Sequence, residues 1–152
     1  MSDMSHDAPT SPSSVLAFAF EIRSLVTELN TSLTALFRPL GLTCVQAEAL
    51  MALDDLGRAT LKELAANLVA ESGHPSRLVS RLVDEGLVTR TASRVDGRAL
   101  VLELTERGRE LAERARTARA PLLHAFAQRY GDRLGEANEL LRDLRTVLAA
   151  ER

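Results

Sequence analysis

The stretch from Thr60 to Gly108, TLKELAANLVAESGHPSRLVSRLVDEGLVTRTASRVDGRALVLELTERG, constrains the fold more than any other part of the chain. Its spacing predicts a helix over Leu61 to Leu68, opened by a capping box in which Thr60 caps the backbone and Glu63 reaches back. A turn over Val69 to Gly73 leads to a second helix, Pro75 to Glu85, closed by Gly86 where a left-handed residue is wanted. Leu78, Val79, Leu82 and Val83 recur three to four apart, which gathers Ser76, Arg77, Ser80 and Arg81 on the opposite face. Leu87 to Thr91 and Ala99 to Leu104 read as strands, joined by a polar turn carrying Ser93, Arg94, Asp96, Gly97 and Arg98. Helix, turn, helix and two-stranded hairpin in that order make a winged helix-turn-helix. Its second helix has the small, polar, cationic face that a major groove accepts.

The residues of this unit resemble the multiple-antibiotic-resistance regulator (MarR) family of bacterial transcription factors. The match lies in Leu64-Ala65, in Arg77-Leu78-Val79-Ser80-Arg81-Leu82 and in Gly86-Leu87-Val88-Thr89-Arg90. It continues through the wing signature Asp96-x-Arg98-Ala99 and Leu104-Thr105-Glu106-x-Gly108, and upstream through Leu42, Thr43 and Gln46. Two positions depart from the family pattern. Gly97 stands where family wings carry a charged residue, and Ser72-Gly73-His74-Pro75 replaces the usual Ser/Thr-rich entry to the recognition helix. Proline is compatible with a first helical turn, because that amide has no intrahelical partner.

With 152 residues, 45% of them hydrophobic, the chain is long enough to bury a core. Only 3% is aromatic and tryptophan is absent, so that core is built from Leu, Val and Ala, which suits helix packing. The formal net charge of -2 runs against nucleic-acid binding as a sum, but the distribution does not. Between Ser72 and Arg98 five arginines (Arg77, Arg81, Arg90, Arg94, Arg98) face three acids (Asp84, Glu85, Asp96). A single cysteine, Cys44, excludes an intrachain disulfide and a cysteine-rich zinc site. No secretory signal pattern or membrane-length apolar run occurs, so a cytoplasmic protein is expected. His6, His74 and His124 lack metal-ligand spacing, and no phosphate loop, serine elbow or paired-cysteine motif occurs. We therefore expect neither enzyme activity nor a metal or other cofactor.

The fold class expected is mainly α with a small β-wing (α+β), a winged helix-turn-helix flanked by N- and C-terminal dimerisation helices. Residues 1–14 read as a disordered tail. Residues 15–39 form a long amphipathic helix ended by Pro39 and Gly41, whose apolar stripe exceeds what a small winged core can use and so points to a second subunit. Residues 40–105 hold the winged unit, including a helix over Thr43 to Leu56 opened by a Thr43/Gln46 capping box. Residues 106–152 supply C-terminal helices: the first kinks or breaks near Arg119 to Pro121 and stops at Gly131, and the last begins at Asp132. In the family the terminal helices interdigitate as a two-fold dimer.

For contact with double-stranded DNA the candidates are His74, Ser76, Arg77, Ser80, Arg81, Arg94, Asp96 and Arg98. The resemblance implies that Arg98 enters the minor groove, held by Asp96. Without DNA the same pair is a surface ion pair of little value. Arg94 would meet phosphate, and His74 would meet phosphate or a base, or cap the helix. Arg77 or Arg81 could instead pair with Asp84 or Glu85.

A small-molecule effector, anionic or aromatic, is also implied by the resemblance. Its pocket would draw on Phe37, Arg38, Cys44, Glu48, Met51 and His124, each of which could equally be ordinary core or surface. Cys44 lies in a first helical turn, where the dipole favours thiolate, so a thiol-switched repressor is one alternative and an inert buried thiol another. A third reading keeps the winged dimer but gives it protein contacts in place of DNA.

Overall fold

The structure, a computed structural model, describes residues 11–69, 74–93, 95, 97 and 99–152. The expected tail over residues 1–10, most of the turn before the recognition helix, and Arg94, Asp96 and Arg98 therefore lie outside the described residues. Among the described residues five α-helices and three strands follow in order: α1 (Pro12–Phe37), a short 3-10 turn (Arg38–Leu40), α2 (Cys44–Leu56), β1 (Arg58–Thr60), α3 (Leu61–Ala66), α4 (Pro75–Asp84), β2 (Val88–Ala92), β3 (Leu100–Leu104) and α5 (Glu106–Ala150). The strands form one antiparallel sheet in the order β1-β3-β2. This is the mainly helical winged fold that the sequence predicts.

Local chemistry sets the boundaries. Thr43 Oγ1 accepts the Gln46 amide at 3.2 Å while Gln46 Oε1 accepts the Thr43 amide at 3.0 Å, a complete capping box. At α3 the Thr60 half forms, with Oγ1 accepting the Glu63 amide at 3.2 Å. Gly86, at φ +74°, supplies the left-handed step that ends α4. Leu50, Leu53, Leu64, Leu82, Leu87 and Leu102 fill the core together with Phe37 from the end of α1. Leu111, Ala112 and Ala115 of α5 are buried in the same cluster. The winged unit is thus closed by both flanking helices and has no core of its own ending at residue 105.

Three features differ from expectation. First, α1 begins at Pro12, whose missing amide costs nothing at a helix start, so residues 12–14 are helical and not tail. Second, β1 adds a third strand, Arg58 opposite Glu103, Ala59 opposite Leu102 and Thr60 opposite Val101. Third, α5 is one 45-residue helix in which Pro121 and Gly131 are interior. Pro121 is exposed, and so is Thr117 one turn earlier, so the carbonyl deprived of its amide partner meets water and the helix need not end.

Arg116 fixes α5 to α2. Its Nη1 donates to Asp54 Oδ2 at 2.5 Å, and its Nη2 donates to Asp55 Oδ1 at 2.7 Å and to the Met51 carbonyl at 3.3 Å. The hydrogen bond to Asp54 is the largest influence holding this guanidinium protonated above its ordinary range. Because the cluster is partly solvated, screening limits its worth. Arg116→Leu should cost about 1–2 kcal/mol of unfolding free energy in urea titrations, less at high salt. A loss that does not shrink with salt would assign the effect to packing and not to charge.

Beyond the core, α1 and α5 carry apolar residues that stand exposed among the described residues. Leu16 is 71% exposed, Phe20 67%, Leu140 50% and Leu148 65%. Residues 121–150 would extend about 45 Å with scarcely any burial. No single helix among the described residues is long and apolar enough to cross a membrane.

Candidate nucleic-acid interface

Helix α4 turns Val79 and Leu82 into the core, at 3% and 1% exposure, with Leu78 and Val83 packed beside them. The opposite face follows from the same period. Ser76, Arg77 and Arg81 are exposed, and Ser80 is half-buried. With Asp84 and Glu85 they line one shallow surface depression, basic toward its N-terminal half and acidic at its C-terminal end. Among the described residues neither Arg77 nor Arg81 forms an ion pair, so the expected alternative pairing with Asp84 or Glu85 does not occur. Two cations thus stand on the exposed face of the helix. His74 occupies the N-cap position and is exposed, but its side chain makes no capping hydrogen bond.

Sequence reasoning placed no site role on Arg90. From β2 its Nη2 donates to Ser80 Oγ at 3.2 Å, which brings a third guanidinium alongside the recognition helix. That neighbourhood depends on how the strand crosses the helix, and no periodicity signals it. The wing itself runs as a regular hairpin from Val88 opposite Leu104 to Ala92 opposite Leu100, with the Ser93 amide donating to the Ala99 carbonyl at 2.8 Å. Arg94, Asp96 and Arg98, named from the sequence, lie outside the described residues.

The junction of α4, β2 and α5 is tight. Thr105 Oγ1 donates to the Gly86 carbonyl at 2.7 Å and accepts the Gly108 amide at 3.1 Å, while the Thr105 amide donates to the Leu87 carbonyl at 3.0 Å. A methyl group added to Gly108 would stand 2.1 Å from the Leu87 carbonyl oxygen. The end of the recognition helix is therefore held against the start of α5 by backbone contact, and glycine is required there.

The residues proposed for an effector pocket do not form one group. Arg38, Cys44 and Glu48 line a mainly apolar cavity of about 830 Å³ between α1 and the start of α2, with Val26, Leu29 and Leu33 opposite. Phe37 is 1% exposed and serves the core, and Met51, at 3%, turns inward from α2. His124 lies further along α5, beside Pro121 in a separate surface depression. The apolar stripe of residues 15–39 was readable, but the position of its Leu29 and Leu33 opposite α2 was not.

Cys44 is pushed up to about 11, first by burial, then by the charge of Glu48 and by donating its thiol hydrogen to Glu48 Oε1 at 3.6 Å. Of the two readings open for this thiol, this favours the inert buried one over the dipole-favoured thiolate, because desolvation and a carboxylate one turn away outweigh the helix terminus. A raised pKa favours the neutral thiol at pH 7. The alkylation rate with iodoacetamide should therefore climb about tenfold per pH unit to near pH 11. A plateau below pH 9 would contradict this.

Residues 42–100 match the model of the MarR family. An HTH-type transcriptional repressor of Mycobacterium bovis is 36% identical over 87 residues, 57% of this chain and 63% of its own length. The organic hydroperoxide resistance transcriptional regulator of Bacillus subtilis (strain 168) is 32% identical over 88 residues, 58% of this chain and 60% of its own length. The match thus spans somewhat under two thirds of these relatives. Among solved structures, a mutant MarR from E. coli complexed with operator DNA superposes with a TM-score of 0.75 at 23% identity, covering 86% of this chain and 94% of that one. At that identity the likeness establishes the fold.

Proposed function

We propose that this chain, whose residues 42–100 match the model of the MarR family, is a cytoplasmic, DNA-binding transcriptional repressor that acts as a homodimer on a pseudo-palindromic duplex and responds to a small molecule. One observation carries the reading: α4 buries Val79 and Leu82 and presents Ser76, Arg77 and Arg81 without competing ion pairs among the described residues. In a major groove Arg77 and Arg81 can reach guanine edges or phosphate, and Arg90 can reach backbone phosphate beside them. Arg94, Arg98 and Asp96 extend the contact along the wing.

The uncovered stripes of α1 and of residues 121–150 support a two-fold dimer, which sets two recognition helices about one duplex turn apart. The names of the relatives, a repressor and a transcriptional regulator, point the same way. The effector, an anionic or aromatic small molecule, would enter the mainly apolar cavity bounded by Arg38, Cys44 and Glu48. To act it must bind the two arrangements of the dimer with different affinity.

Selection from a random duplex library, with sedimentation of the same preparation, tests the proposal. The expected outcome is a dimer that enriches an inverted repeat whose half-sites are centred about 10 bp apart. A monomer, or a library that stays random after repeated rounds, would contradict it.

A further inference from the structure

Among the described residues Gln46 is the buried polar side chain of an otherwise apolar core, 4% exposed. One end of it closes the capping box with Thr43, whose neighbours Leu42 and Cys44 help to line the 830 Å³ cavity. The other amide atom reaches the next element: Nε2 donates to Glu85 Oε1 at 3.5 Å, at the edge of the core. Glu85 is the C-cap of α4, the last residue before the left-handed Gly86. A single buried amide thus spans from the cavity wall to the end of the recognition helix.

We propose that Gln46 is the positioning residue through which occupancy of the cavity between α1 and α2 moves the recognition helix; this rests on the regulator reading above. The reason is the cost of breaking the chain of bonds. A buried amide that loses its acceptor pays its desolvation in full, so the α2 N-terminus cannot shift without either drawing Glu85 along or leaving Gln46 unsatisfied. On its far side the same helix end is fixed to α5 by Thr105 and by the close approach of Gly108 to Leu87. With that side anchored, displacement arriving through Gln46 tilts α4 about its C-terminal end. The basic face, one to three turns away, then leaves the geometry the duplex requires.

The test uses Cys44, the only cysteine of the chain, as a handle on the cavity wall. N-ethylmaleimide, to which the thiol adds across the ring double bond, places bulk in the cavity, and Cys44→Phe does so independently. Duplex recovered by selection is titrated with filled and unfilled protein in four backgrounds: wild type, Gln46→Glu, Gln46→Glu with Glu85→Gln, and Glu85→Ala. Gln46→Glu keeps an oxygen for the Thr43 amide but sets a carboxylate against Glu85. The second change restores a donor, and Glu85→Ala removes the acceptor at an exposed position that folding does not depend on. Filling should weaken duplex binding about tenfold in wild type and in the exchanged pair, and less than about twofold in Gln46→Glu and Glu85→Ala. Equal weakening in all four backgrounds, or none in wild type, overturns the proposal. Failure of unfilled wild type to select any duplex instead overturns the regulator reading and this inference with it.

Discussion

Replacing Gly108 with alanine should cost about 3 kcal/mol of unfolding free energy or more. By intrinsic propensity the change should help, since alanine in a helix is favoured over glycine by about 1 kcal/mol. Contact decides otherwise. The new methyl would lie 2.1 Å from the Leu87 carbonyl oxygen and 3.1 Å from its carbon, both backbone atoms that cannot rotate away. Relief requires moving the first turn of α5 off Leu87, which would break the bonds from Thr105 to Gly86 and Leu87. Urea unfolding of Gly108→Ala measures the balance. A variant as stable as wild type would mean that α5 and the recognition-helix junction are not in the contact described.

The second large effect falls on binding and spares the fold. Arg77 and Arg81 are exposed and have no ion-pair partner among the described residues, so the double change to alanine should leave unfolding within about 0.5 kcal/mol of wild type. Each bidentate contact to a base is worth about 1–3 kcal/mol. Two arginines, repeated in a two-fold dimer, should therefore lower affinity for a selected duplex by about a hundredfold or more. Anisotropy titration reads this directly. Retained affinity in a folded double variant would move the interface away from α4.

Much of this was legible in the sequence because local chemistry decides it. The Thr43/Gln46 box, the left-handed Gly86 and the inward set Val79 and Leu82 each follow from spacing alone. What escaped depends on distant neighbours. Strand β1 has three residues and exists because β3, some forty positions on, pairs with it. The continuity of α5 through Pro121 depends on solvent reaching Thr117. Gln46 was readable as a cap, but its reach to Glu85 was not.

At Cys44 two readings stood open in the sequence, and burial together with the charge of Glu48, one turn later, favours the inert thiol over the thiolate. The pocket set separated for a geometric reason: Phe37 and Met51 point into the core while Arg38 and Glu48 face the cavity.

The central claim is that arginines on one helix face bind duplex DNA, and the salt dependence of that binding tests it most directly. For wild-type protein and its selected duplex, log affinity should fall linearly with log salt concentration, with a slope near -0.9 for each phosphate neutralised and a total of at least about -4 for a dimer. Affinity that is flat with salt, or equal for selected and scrambled duplexes, would contradict the account.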